Sequence, residues 1–186
     1  MIQVITGAVL RDMIINAAAA IEINKQYINE LNVFPVPDGD TGTNMSLTIN
    51  AGVTELKKMN ADTVGNVSAK AANALLRGAR GNSGVILSLL FRGLAKSMKG
   101  LETADTAVFA DSLKTGVATA YKAVMKPTEG TILTVSRLAA AEAVKTSEKE
   151  KDFEAFFEKV IATGNKAVEN TVKQNPVLEK AGVVDA

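Results

Sequence analysis

Phe153-Glu154-Ala155-Phe156-Phe157-Glu158-Lys159-Val160-Ile161-Ala162-Thr163-Gly164-Asn165-Lys166-Ala167-Val168 is the stretch that decides the fold. Its apolar residues, Phe153, Phe156, Phe157, Val160, Ile161, Gly164 and Val168, recur at intervals of three and four. That is the period of an α-helix with one buried face, not the alternation of a strand. The same period runs outward in both directions. Upstream it marks Leu10 to Ile21 behind a Thr6 cap, Met45 to Leu56, Val64 to Leu75, Leu87 to Met98, Phe109 to Val124, and an alanine-rich run from Gly130 to Lys145. Downstream, Asn175-Pro176 reads as a cap followed by proline at the first helical position, opening a short segment that ends near Gly182. No segment alternates like a strand and no repeat period appears. Long helices joined by short connections predict an all-α antiparallel bundle.

Composition narrows the chemistry. The 186 residues fit one domain, and a hydrophobic fraction of 47% with 22% charged excludes disorder. A net charge of +1 with scattered lysines makes no case for nucleic acid. No run is apolar enough to span a bilayer and no secretion signal opens the chain, so no transmembrane segment and a cytoplasmic location are expected. There is no cysteine and no histidine. Thiolate catalysis, imidazole bases and most transition-metal sites are thereby removed, leaving hard oxygen donors suited to magnesium or calcium.

Against the helical background, Asn32-Val33-Phe34-Pro35-Val36-Pro37-Asp38-Gly39-Asp40-Thr41-Gly42-Thr43-Asn44 stands apart. It holds two of the four prolines. Asp38 and Asp40 flank one glycine, so both carboxylates can converge on a centre where their repulsion calls for a cation. Thr41 opens a helix whose free N–H groups and positive dipole end would receive an anion. The competing reading is a plain turn with Asp40 as helix cap. A second motif, Arg77-Gly78-Ala79-Arg80-Gly81-Asn82-Ser83-Gly84, spaces three glycines by three before an apolar helix. It reads as a loop where backbone approaches a ligand, or as a helix–helix corner. Lys126-Pro127-Thr128-Glu129-Gly130-Thr131-Ile132-Leu133 again breaks one helix and starts another, as a capped turn or a ligand contact.

These segments, with Gly182-Val183-Val184-Asp185-Ala186, resemble the nucleotide-binding domain of dihydroxyacetone kinases. They are more similar still to the N-terminal domain of the bacterial fatty acid kinase catalytic subunit. The resemblance covers essentially the whole chain. It implies an antiparallel bundle or barrel of about eight helices, with ATP and a pair of magnesium ions at one end. It implies Asp38 and Asp40 as catalytic, metal-bridging carboxylates. Asn32 falls near a position that is aspartate in the dihydroxyacetone branch and is implied as a further metal position. Thr41, Gly42, Thr43 and Asn44 match the phosphate-contacting helix start. Gly81, Asn82, Ser83 and Gly84 match a second nucleotide loop, and Thr131, Ile132 and Asp185 match residues beside the nucleotide.

The implied activity is ATP- and magnesium-dependent phosphoryl transfer to the carboxylate of a fatty acid, yielding an acyl phosphate for phospholipid synthesis. A separate fatty-acid-binding protein would present the substrate. Residues 1–186 would be the kinase domain of a longer chain with C-terminal domains, inactive alone. Alternatives are the nucleotide subunit of a dihydroxyacetone kinase and a non-catalytic nucleotide-sensing module. Asn32, Pro35, Pro37 and Thr41, where the dihydroxyacetone branch has histidine, favour the fatty acid reading.

Overall fold

The computed structural model describes residues 1–60 and 63–186. Among them are eight helices: α1 (Gly7–Leu31), α2 (Thr41–Leu56), α3 (Val64–Gly78), α4 (Gly81–Ser97), α5 (Thr106–Ala123), α6 (Ile132–Ser147), α7 (Phe153–Gln174) and α8 (Pro176–Ala181). The all-α expectation holds, and no strand occurs among the described residues. The closest approach to one is an isolated antiparallel bridge between Ile5 and Ala104, whose amides exchange bonds of 2.8 and 3.0 Å.

Helix starts follow local chemistry. Thr6, Thr63, Asp105 and Asn175 each accept a bond from an amide in the first turn of the helix behind them. Pro176 begins α8, and Gly182 ends it at φ 69°, a left-handed conformation that glycine adopts without strain.

Each helix packs chiefly on its neighbours in sequence, so the chain runs up and down. Leu10 and Ile14 of α1, Ile49, Val53 and Leu56 of α2, Val67 and Leu75 of α3, and Leu87 of α4 share one core with Phe109, Phe153 and Phe156. Phe109 meets Phe153, Phe156 and Phe157 edge to face, with centroids 5.9, 6.4 and 5.3 Å apart. One detail of the α7 stripe differs from its sequence reading. Phe153, Phe156, Val160, Ala167 and Thr171 are buried, whereas Ile161 is 57% exposed because it lies a sixth of a turn or more off that line. Along α4 and α5 the backbones touch. A Cβ on Gly93 would sit 2.5 Å from the Gly116 Cα, so this pair tolerates only glycine.

This alternation collects the end of α1, the starts of α2, α4 and α6, and the end of α5 at one end of the bundle. The opposite end is tied by the Ile5–Ala104 bridge and by Phe153 N–H donating to the Ile2 carbonyl at 2.8 Å. Among the described residues no helix is long and apolar enough to cross a membrane.

Candidate functional site

Where those helix ends converge lies a cavity of about 430 Å³. Its wall takes Asn32, Asp38, Asp40, Thr41 and Asn44 from the α1–α2 junction. Gly81, Asn82 and Ser83 come from the start of α4, and Thr131, Ile132 and Asp185 from the start of α6 and the residues after α8. These eleven come from four separated segments and were all expected at a single site. Three further expected residues do not line it. Gly42 is buried at the α1 crossing, where a Cβ would collide with the Lys25 carbonyl. Thr43 is engaged by Asn29 of α1, which donates to its hydroxyl at 3.0 Å and accepts from its amide at 3.1 Å. Gly84 is buried against Thr48, whose hydroxyl fills the space of a Cβ.

The loop before α2 is organised by Asn32, only 6% exposed. Its carboxamide oxygen accepts from the amides of Asp40 and Thr41 at 3.0 and 3.3 Å, and its Nδ2 donates to the Val36 carbonyl at 3.0 Å. Both lone pairs of the only oxygen it offers a metal are thus spent on the backbone. Asn32, expected as a metal position, thus shapes the loop that carries Asp38 and Asp40. The Phe34–Pro35 peptide bond within it is cis.

Asp40 occupies the cap position of α2, yet its carboxylate makes no capping bond. Asn32 does that work from α1. The segment turns at Gly39, φ 67°, but the capping bond of the plain-turn reading is absent, and Asp40 lines the cavity. Among the described residues neither Asp38 nor Asp40 enters an ion pair, and no cluster of three or more acidic, cysteine or histidine side chains is positioned to hold a metal. A donor set of two carboxylates fits magnesium. That ion keeps most of its water and is held by one or two carboxylates together with substrate phosphates, rather than by a full protein cage.

The amides expected to be free at the start of α2 are largely taken, those of Thr41 and Thr43 by Asn32 and Asn29. The start of α4 differs. Arg80, its cap residue, contributes no side-chain bond, and no acceptor meets the amides of Gly81, Asn82 and Ser83 among the described residues. Gly81 has φ 59° and a Cβ there would strike the Asn44 amide nitrogen. The Ser83 hydroxyl, buried on the cavity side, has no hydrogen-bond partner. An orphaned donor, unpaired amides and a positive helix end form an anion-receptive wall of the same cavity that Asp38 and Asp40 line.

The third wall is braced from outside. Glu129 accepts from the Tyr121 hydroxyl at 3.0 Å, the Thr134 hydroxyl at 2.8 Å and Arg137 at 2.6 Å. The loop carrying Thr128 and Thr131 is thereby tied to α5 and α6. Asp185 meets the start of α6: burial pushes its carboxyl up to about 6, opposed by a bond from the Ile132 amide. Sequence reading missed Lys126 as a site residue. It lines the cavity as its sole cationic side chain among the described residues, and being the lone lysine in an otherwise neutral approach to Glu129 was the available signal. Phe34, Met45, Ile86, Val124 and Leu133 supply an apolar share of the wall.

A family model described as the DAK2 domain matches residues 35–186. Protein YloV of Bacillus subtilis (strain 168) is 45% identical over 185 residues, an alignment spanning 100% of this chain and 34% of that protein. Uncharacterized proteins of Staphylococcus aureus, from strains bovine RF122 / ET3-1 and USA300, are likewise 45% identical over 186 residues, again 34% of their length. The chain thus spans about a third of the curated relatives it matches.

Proposed function

This chain belongs to the DAK2 domain family, a kinase family, and from that premise we propose that the cavity binds ATP with magnesium. We further infer that the whole protein, of which residues 1–186 form the kinase domain, phosphorylates the carboxylate of a fatty acid presented by a separate binding protein. The observation that carries the nucleotide reading is the pairing of two unpartnered carboxylates with an uncapped helix start in one cavity. Asp38 and Asp40 hold the metal. The amides of Gly81, Asn82 and Ser83, with the Ser83 hydroxyl, receive phosphate oxygens, and Lys126 offsets charge at the mouth. The apolar side chains Ile86, Val124 and Leu133 suit a nucleobase face.

Bound magnesium would neutralise charge on the transferring phosphoryl group. This chain's residues hold the reactants in line and donate hydrogen bonds, which is most of what phosphoryl transfer asks of a protein. Without histidine, the domain lacks the side chain most often used as a neutral-pH base. A carboxylate acceptor is already ionised and requires no base, which supports the fatty acid over a hydroxyl acceptor. The identity of about 45% to proteins three times longer supports further domains in the native protein.

The test is ATP consumption by the full-length protein with a lipid-loaded binding protein. Acyl phosphate should form only when both are present, and Asp40→Ala should abolish it. Efficient phosphorylation of dihydroxyacetone with a separate substrate subunit would replace this acceptor with the rival one. ATP binding without any turnover would reduce the domain to a nucleotide sensor.

A further inference from the structure

A second cavity, of about 500 Å³, lies between α4 and α5 and is lined by Leu89, Arg92, Lys96, Thr119, Lys122 and Ala123. Three of its six residues are cations and none is acidic. Arg92, Lys96 and Lys122 join no ion pair among the described residues, whereas seven pairs elsewhere engage other cations. Leu89, Arg92 and Lys96 follow one face of α4 at spacings of three and four. The Gly93–Gly116 approach fixes the two helices at contact distance, so the cations sit on a rigid frame.

The floor is apolar, Leu89 and Ala123. Two exposed apolar side chains lie close to it along the chain. Val85, one turn before Leu89 on the same face, is 46% exposed, and Met125, two residues beyond Ala123, is 98% exposed. Three cations and a hydroxyl beside an apolar track match an amphiphile with an anionic head. Three positive charges are better balanced by a phosphate than by a single carboxylate, and the planar fork of Arg92 fits phosphate oxygens.

We propose that the α4–α5 groove binds a phosphate ester carrying an apolar group. The phosphate sits among Arg92, Lys96 and Lys122, and the apolar part lies along Leu89, Val85 and Met125. Such a phosphate comes either from a phospholipid headgroup at a membrane surface or from a soluble phosphate. The overall charge of only +1 leaves little general attraction to anionic surfaces, so any binding would be local to the groove.

The experiment uses the full-length protein, with sedimentation against phosphatidylglycerol–phosphatidylcholine vesicles, against pure phosphatidylcholine vesicles, and calorimetry with inorganic phosphate in EDTA. The triple variant Arg92→Ala, Lys96→Ala, Lys122→Ala is compared with a control triple, Lys57→Ala, Lys149→Ala, Lys166→Ala, which removes the same charge outside α4 and α5. The groove variant should bind phosphatidylglycerol vesicles about a hundredfold more weakly, the equivalent of about 1 kcal/mol per cation near an anionic surface. The control triple should bind as the parent does, and magnesium–ATP should stabilise all three proteins alike. Binding of inorganic phosphate alone, lost in the groove variant, would assign the soluble source. Equal loss in both triples, or no binding of either probe by the parent, would overturn the proposal.

Discussion

Replacing Asn32 with alanine separates a loop-shaping side chain from a metal ligand. The substitution removes one donor and one doubly used acceptor from a site 6% exposed. It leaves the amides of Asp40 and Thr41 and the Val36 carbonyl to find water at the cavity rim. With about 0.5–1.5 kcal/mol net for each of three bonds, offset by rehydration, the cost is about 2–3 kcal/mol. For a domain of this length that lowers the melting temperature by roughly 4–12 °C. The assay is thermal unfolding of the protein in EDTA without nucleotide, followed by circular dichroism. Asn32→Asp keeps the acceptor but loses the donor to Val36, and should fall between the parent and the alanine variant. A metal ligand would behave oppositely: metal-free stability would hold or rise, and only the magnesium-dependent stabilisation by ATP would vanish. An Asn32→Ala protein melting within about 1 °C of the parent in EDTA would refute the role assigned to this residue.

Asp38→Ala and Asp40→Ala should leave the metal-free protein about as stable as the parent, because neither carboxylate joins an ion pair among the described residues and Asp40 makes no capping bond; both should lose the magnesium-dependent thermal shift with ATP, measured by differential scanning fluorimetry. Gly81→Ala forces a side chain into the left-handed region and against Asn44, so it should cost about 1 kcal/mol of stability and weaken ATP binding in calorimetry. Gly84→Ala instead crowds the Thr48 hydroxyl, at a point that does not line the cavity, and should cost about 1–3 kcal/mol with a smaller effect on ATP affinity; an equal affinity loss in both would contradict the division between them. Asp185 has its folded carboxyl raised from 3.8 to about 6, so the folded state holds a proton that the unfolded state releases. Stability in EDTA should therefore fall as pH rises from about 4 to about 6, by a few kcal/mol at most, and Asp185→Asn should flatten that slope in urea titrations. An unchanged slope in the variant would show that other groups set it.

The helices were legible because each has a buried stripe at helical period and most have a recognisable start. Thr6 precedes its stripe and does cap, and the Asn175-Pro176 pair opens α8 as its chemistry requires. Two departures have physical causes. Ile161 is as apolar as its neighbours but lies off the line through Phe156 and Val160, and only the position of α6 decides how wide the buried face is. The Gly93–Gly116 contact joins residues on different helices, and neither glycine announces its partner.

The candidate site was legible as motifs but not as a division of labour. Asp38, Asp40, Ser83 and Thr131 stand out by residue type and setting, and the structure gathers them in one cavity. Which helix start stays open to an anion depends instead on distant side chains. Thr41 and Gly81 both begin helices after glycine-rich loops. Asn29 and Asn32, near the end of α1, cover amides at the start of α2, while nothing caps the start of α4. Sequence proximity had pointed to a carboxylate pair and an anion site within five residues of each other. In the folded chain the open anion-receptive wall comes from another helix and lines the same cavity as that pair. Two neighbouring helix starts, one carrying the carboxylates and the other the open amides, can hold a cation and a phosphate side by side in one cavity. That geometry makes metal and phosphate binding mutually dependent, because two carboxylates alone leave magnesium short of ligands and the helix start alone leaves the phosphate charge only partly neutralised.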